Sequence, residues 1–216
     1  TPLSVGGADH RGSRYRAGLS GWAEATGTPV LAEPTSGLRF GDVSGPVIGT
    51  GDFLVDSDLY DVVGEPDLIV HTGEAPLNWA ARAFVEQTSD VERISIQPHV
   101  QRRDPNHVVD HHVIADERRL FEAMLETSHG FEATDTWQKM HHRADRIARA
   151  AMETGLLNAD ALEEPRLWWE LQRELPDPAS IFVSNSMPIR NADLYMPGRE
   201  EALDVYFNRG LNGIDG

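Results

Sequence analysis

The sequence predicts an α/β protein, a mostly parallel sheet flanked by helices, followed by the first βαβ of a second α/β domain. Three observations carry this. Short apolar runs alternate with helix-compatible stretches, the rhythm of a parallel sheet covered by helices. A long amphipathic pattern then separates two stretches of different texture. Finally, the strand-like Val205-Tyr-Phe207 runs into a loop with Gly210, Gly213 and Gly216, the place where open α/β sheets hold ligands.

Taken in order, Pro29-Val-Leu-Ala-Glu33, Pro46-Val-Ile-Gly49, Leu68-Ile-Val-His71 and Arg93-Ile-Ser-Ile-Gln97 read as buried strands. Asn78 to Gln87 is alanine-rich and helix-compatible. Asp116 is placed to cap a helix whose Leu120, Phe121, Met124 and Leu125 form one apolar face. From Asp135, with Gln138 as capping-box partner, apolar residues recur at Trp137, Met140, Ala144, Ile147 and Ala151, and Gly155 is the expected stop. This long helix and the loop from Asn158 to Pro165 are the expected join. The expected division is therefore 1–130, a helical connection over 131–163, and the start of a second domain over 164–216. The latter holds a helix with Leu167, Trp168, Leu171 and Leu175, a Pro-Asp-Pro turn, the strand Ile181–Asn185, a short helix from Pro188 and the strand Asp204–Phe207.

Composition narrows the function classes. Nineteen basic against 35 acidic residues leave a net charge of −16, and Lys139 is the only lysine. That balance fits a salt-loving or high-GC organism, because concentrated salt screens the self-repulsion; an ordinary acidic cytosolic protein is the alternative. Nucleic acid is a poor partner for so acidic a chain. The absence of cysteine excludes disulfides and thiolate chemistry, and fits a cytoplasmic protein. No apolar run reaches 18 residues, so membrane insertion is not expected, and no signal peptide is visible. Without a starting methionine, and ending within a glycine-rich loop, the chain reads as a piece of a longer protein.

Chemistry concentrates near the C-terminus. Ser184-Asn-Ser-Met-Pro-Ile-Arg190 sits at a strand-to-helix turn, where Ser186 can cap the helix and free N–H groups attract an anion. Arg190 lies about one turn on, and Arg209 follows the next strand, so two cations can converge on one crevice. A capped helix with two surface arginines accounts for the same spacing. His107, His111 and His112 are interleaved with Asp104 and Asp110; a metal pair at i, i+4 needs a helix that Pro105 and Val108-Val109 disfavour, leaving a polar loop. His141-His142 reads as solvated helix surface, and Glu74 and the aspartates from Asp52 to Asp61 as solvated acids. Gly6-Gly-Ala-Asp-His-Arg-Gly12 has neither the dinucleotide fingerprint nor a P-loop lysine.

Asn208-Arg-Gly-Leu-Asn-Gly-Ile-Asp-Gly216 and Phe182-Val-Ser-Asn-Ser-Met-Pro-Ile-Arg190 resemble a thiamine-diphosphate enzyme family of menaquinone synthesis, the 2-succinyl-5-enolpyruvyl-6-hydroxy-3-cyclohexene-1-carboxylate synthases. Pro29-Val-Leu-Ala-Glu-Pro-Thr-Ser-Gly-Leu-Arg39, Pro66-Asp-Leu-Ile-Val70 and Arg103-Asp-Pro-Asn-His107 are similar to that family's middle domain. The resemblance implies the middle α/β domain plus the start of the diphosphate-binding domain. It implies thiamine diphosphate and Mg²⁺ as cofactors, 2-oxoglutarate and isochorismate as substrates, and a homodimer or homotetramer. Ser186, Arg190 and Arg209 match substrate-binding positions, and Asn185, Gly213 and Ile214 cofactor-binding positions. No catalytic or metal residue is expected within these 216 residues, so the piece alone is expected to be inactive. Asn78-Trp79 stands where the family usually has Ser-Lys, a departure at a basic substrate contact. Another thiamine-dependent 2-oxoacid decarboxylase, or a non-catalytic assembly module on the same fold, are the alternatives.

Overall fold

The computed structural model describes residues 2–7, 16–41, 45–100, 104, 106–127, 134–158 and 161–208. Its strands are β1 (Pro2–Gly6), β2 (Val30–Ala32), β3 (Val47–Ile48), β4 (Leu68–Thr72), β5 (Glu92–Gln97), β6 (His111–Ile114), β7 (Ala179–Val183) and β8 (Leu203–Phe207). Its helices are α1 (Arg16–Thr26), α2 (Gly51–Val55), α3 (Leu59–Val63), α4 (Trp79–Gln87), α5 (Glu117–Thr127), α6 (Asp135–Leu157), α7 (Glu164–Glu174) and α8 (Met187–Tyr195). A 3-10 turn covers Pro34–Ser36. Among these helices none is long and apolar enough to cross a membrane.

The first six strands form one wholly parallel sheet in the order β3-β2-β1-β4-β5-β6. The order reverses between β1 and β4, the topology of a doubly wound sheet. Side chains alternate between its faces. Val30 and Ala32 point to a layer holding Leu19, Trp22 and Phe121, so α1 and α5 cover that face. Leu31 and Leu3 point the other way, to Leu54, Leu59, Tyr60 and Trp137 of α2, α3 and α6. Fully burying each such side chain stabilises the fold by about 1.5–3 kcal/mol. Trp137 also donates its indole N–H to the Pro2 carbonyl (2.9 Å), which locks the start of α6 to β1.

The predicted strands and helices are present, with instructive differences. Leu-Ser-Val, pressed between Pro2 and Gly6, was not singled out in the sequence, yet it is the central strand β1. The segment expected to be a polar histidine loop contains edge strand β6, because His111 and His112 pair with Ile94 and Ser95 of β5. The cap of α6 is Thr134, whose hydroxyl accepts from Trp137 N, rather than Asp135 with Gln138. Gly155 does not stop α6, which runs to Leu157 and closes on Asn158. Asp116 does cap α5, accepting from Arg119 N (3.0 Å).

β7 and β8 form a separate parallel pair, in register from Ala179↔Leu203 to Val183↔Phe207. Trp168 of α7 and Ile189, Ala192 and Met196 of the α8 region pack on their inner face, together with Phe40 and Leu77 from the six-stranded unit. The seam is close. A Cβ on Gly49 would stand 1.7 Å from the Pro197 carbonyl oxygen, so only glycine fits at the end of β3. Arg149 of α6 donates to the carbonyls of Pro197 (2.5 Å) and Gly198 (3.3 Å), while its Nε pairs with Asp145 (2.7 Å).

Candidate functional site

Alternating apolar residues make β7 a strand, and Ser184-Asn185 ends it one peptide before α8 begins with Met187-Pro188. Pro188 suits a first helical turn because its missing N–H would have no partner there. Ser186 occupies the N-cap position with φ 68° and ψ −129°, and its hydroxyl makes no capping bond. The expected serine cap is therefore absent, and Ser186 holds a positive φ that a non-glycine residue rarely adopts. Such a conformation costs about 1–3 kcal/mol and gathers at ligand sites.

Asn185 is 3% exposed, and among the described residues neither its Oδ1 nor its Nδ2 has a hydrogen-bond partner. A buried polar group left unpaired costs about 1–3 kcal/mol. An orphaned amide at the carboxyl end of a parallel strand is thus poised for a ligand that supplies both a donor and an acceptor. Arg190, partly buried, folds its Nη1 back to the Ser186 carbonyl (2.7 Å), laying a cation over the same turn. Free helix N–H groups, an arginine and a carboxamide make a site for a carboxylate or phosphate. Arg209, Gly213 and Ile214 lie outside the described residues.

Helix α8 is fastened from below. Arg39, 3% exposed, donates Nη2 to Asp193 Oδ1 (2.5 Å), Nη1 to the carbonyls of Asp193 (2.6 Å) and Met196 (3.2 Å), and Nε to the Ala32 carbonyl (2.6 Å). Burial lowers the Arg39 pKa and the Asp193 carboxylate raises it. Asn78 Nδ2 donates to the other Asp193 oxygen (2.7 Å) and to the Arg190 carbonyl (3.2 Å). Asn78 sits at the N-cap of α4 without capping it; Asp52 accepts from Ala81 N instead (2.8 Å). Burial pushes the Asp52 carboxyl up to about 6, against the lowering effect of that hydrogen bond. Asp52 is therefore a half-buried helix cap rather than a solvated acid, while Asp56, Asp58 and Asp61 are exposed as expected. Trp79, next to Asn78, is 78% exposed.

The histidines separate into different environments. His111 Nε2 lies 3.1 Å from Glu92 Oε1, and His112 Nε2 3.9 Å from Asp104 Oδ2. The Asp104 carboxylate is already engaged by Val108 N (3.0 Å) and Val109 N (3.1 Å). Among the described residues there is no group of three or more side chains suited to a metal. His141 overturns its sequence reading: it is fully buried, with Nδ1 2.8 Å from the Trp137 carbonyl and Nε2 3.2 Å from the Tyr60 hydroxyl. A carbonyl can only accept, so Nδ1 carries the proton and Tyr60 donates to Nε2. Of the Gly6–Gly12 stretch only Gly6 and Gly7 are described; a Cβ on Gly7 would meet the Glu74 carbonyl at 1.9 Å.

No family model matches the chain. It is 33% identical over 196 residues, 90% of its length, to a protein of Listeria monocytogenes serotype 4b named 2-succinyl-5-enolpyruvyl-6-hydroxy-3-cyclohexene-1-carboxylate synthase. Proteins of the same name from Halorubrum lacusprofundi and Haloquadratum walsbyi are 30% and 28% identical over 99% and 100% of the chain. Over nearly its whole length the chain is thus homologous to proteins that carry this one name. It spans about a third of the length of these synthases, 34–38%. Sequence spacing located the strand-to-helix turn; it missed that Asp193 meets Arg39 and Asn78, because nothing local to any of the three shows the pairing.

Proposed function

We propose that this chain is the middle α/β domain and the start of the diphosphate-binding domain of a thiamine-diphosphate-dependent synthase. The complete enzyme decarboxylates 2-oxoglutarate and adds the succinyl unit to isochorismate in menaquinone biosynthesis. The observation that carries the reading is the orphaned Asn185 amide beside Arg190 at the carboxyl end of β7, in a chain homologous to these synthases.

The residues suit the ligands. Both substrates are carboxylates, and the turn offers a guanidinium, helix N–H groups and a buried carboxamide. Register Val183↔Phe207 brings the ends of β7 and β8 side by side, which favours convergence of Arg190 with Arg209. Ser186 and Arg190 would bind substrate with Arg209; Asn185, Gly213 and Ile214 would hold the cofactor. When bound, thiamine diphosphate supplies the carbon–carbon chemistry, and Mg²⁺ would be held outside the described residues. The chain's own residues bind and orient: Arg190 pairs with a carboxylate, and the turn excludes water from it. Further layers of the second domain are favoured by Phe182 (67% exposed) and Tyr206 (52% exposed), register partners on the outer face of a parallel pair. A homodimer or homotetramer is part of the proposal, as in the resemblance.

The test is CO₂ release from 2-oxoglutarate with and without isochorismate, in Mg²⁺, thiamine diphosphate and high salt. A full-length protein containing this segment and the 216-residue chain are assayed side by side. Isochorismate-dependent turnover by the long form alone is expected; a folded long form without turnover rejects the reading. In that long form Arg209→Ala should lower kcat/KM by about 2–5 kcal/mol of transition-state stabilisation, the cost of leaving a buried carboxylate unpaired.

A further inference from the structure

We propose that Asn78 is a positioning residue that sets the Arg190 turn of α8. Its Nδ2 has two hydrogens, and they go to Asp193 Oδ2 (2.7 Å) and the Arg190 carbonyl (3.2 Å), both on α8. The side chain is 6% exposed, so water does not compete for either. An asparagine at an N-cap usually turns its oxygen onto its own helix. Here Asp52 does that for α4 through Ala81 N (2.8 Å), which releases Asn78 to reach across the seam. From the other side Arg39 joins Asp193 to the Ala32 carbonyl at the end of β2.

The helix is thereby held at two points to the six-stranded unit, by Arg39 at Asp193 and by Asn78 at Arg190. The second point matters more for function: the backbone carbonyl that Asn78 holds belongs to the residue whose guanidinium lies over the Ser186 turn. A small rotation of α8 would swing that guanidinium away from a bound carboxylate, and sub-ångström placement governs such contacts. The inference deepens the proposed function, since it takes Arg190 to meet a substrate carboxylate.

The experiment compares Asn78→Ala, the milder Asn78→Ser, Arg190→Ala and the Asn78→Ala/Arg190→Ala double variant in the full-length protein. Asn78→Ala is expected to raise KM for a carboxylate substrate about tenfold, as for one misplaced hydrogen bond to a charged group, with kcat little changed. In the Arg190→Ala background the same change should add nothing, because Asn78 acts through Arg190. Hydrogen exchange read by mass spectrometry should show α8 amides exchanging faster in Asn78→Ala while β4 and β5 keep their protection. Fully additive kinetic effects, or unchanged α8 exchange, overturn the assignment. If Asn78→Ala does not fold, Asn78→Ser is judged by the same two readouts. Should the wild-type protein fail to turn over, the proposed function falls, and α8 exchange alone decides whether Asn78 anchors the helix.

Discussion

Arg39 and Asp193 meet at 2.5 Å across the seam between the two sheets, at 3% and 5% side-chain exposure. A buried ion pair need not stabilise relative to apolar residues, but removing one member leaves the other charge stranded. Asp193→Ala should therefore lower unfolding free energy by about 3–5 kcal/mol. Replacing both residues with apolar ones of similar volume should cost far less. Urea unfolding of the three proteins checks this; equal losses for the single and double variants would mean that lost packing, not the stranded guanidinium, dominates.

His71, on β4 and 8% exposed, lies with Nε2 2.8 Å from the Glu74 carbonyl. Burial lowers its pKa from 6.5 to about 4. Between those values the unfolded chain takes up a proton that the folded chain refuses. Its contribution is thus fully present above pH 6.5 and is lost as pH falls toward 4, by about 3 kcal/mol at most. His141, also lowered by burial, acts in the same direction. Asp52, raised to about 6, acts oppositely, favouring the folded state below 3.8 and losing that effect as pH rises through 6. His71→Gln, which can still donate to the Glu74 carbonyl, should flatten the acid limb of stability measured in urea at pH 7 and 4.5. An NMR titration that places the folded His71 near 6.5 would rule this out.

A net charge of −16 should make the fold salt-dependent. Thermal unfolding in molar KCl is expected to exceed that in dilute buffer by about 4 °C or more, on the order of 1 kcal/mol for a chain of this size. A melting temperature indifferent to KCl would remove the halophilic reading of the acidic composition.

Much of this was legible locally. Period, β-branching and punctuation by Gly and Pro identified β2, β3, β4 and β5, and the helices around Leu120, Trp137 and Trp168, because one buried face imposes its spacing on the chain. The strand-to-helix turn with Asn185, Ser186 and Arg190 was legible for the same reason: apolar alternation stops and Pro188 starts a helix.

What local pattern could not supply was the partner of each residue. Leu3 and Val5 form the central strand only because β2 and β4 flank them, and His111-His112 becomes a strand only in register with β5. His141 looks like helix surface until Tyr60, 81 residues away, closes over it. Asn78 and Asp193, 115 residues apart, are ordinary polar residues until the seam excludes water and makes their hydrogen bond obligatory. The sequence by itself determined β2 to β5, the helices α5 to α7 and where the strand-to-helix turn after β7 falls, since those follow from side-chain periodicity and backbone preference. Tertiary structure alone decided which polar groups are buried, paired or orphaned, because desolvation depends on what distant segments bring to the same place.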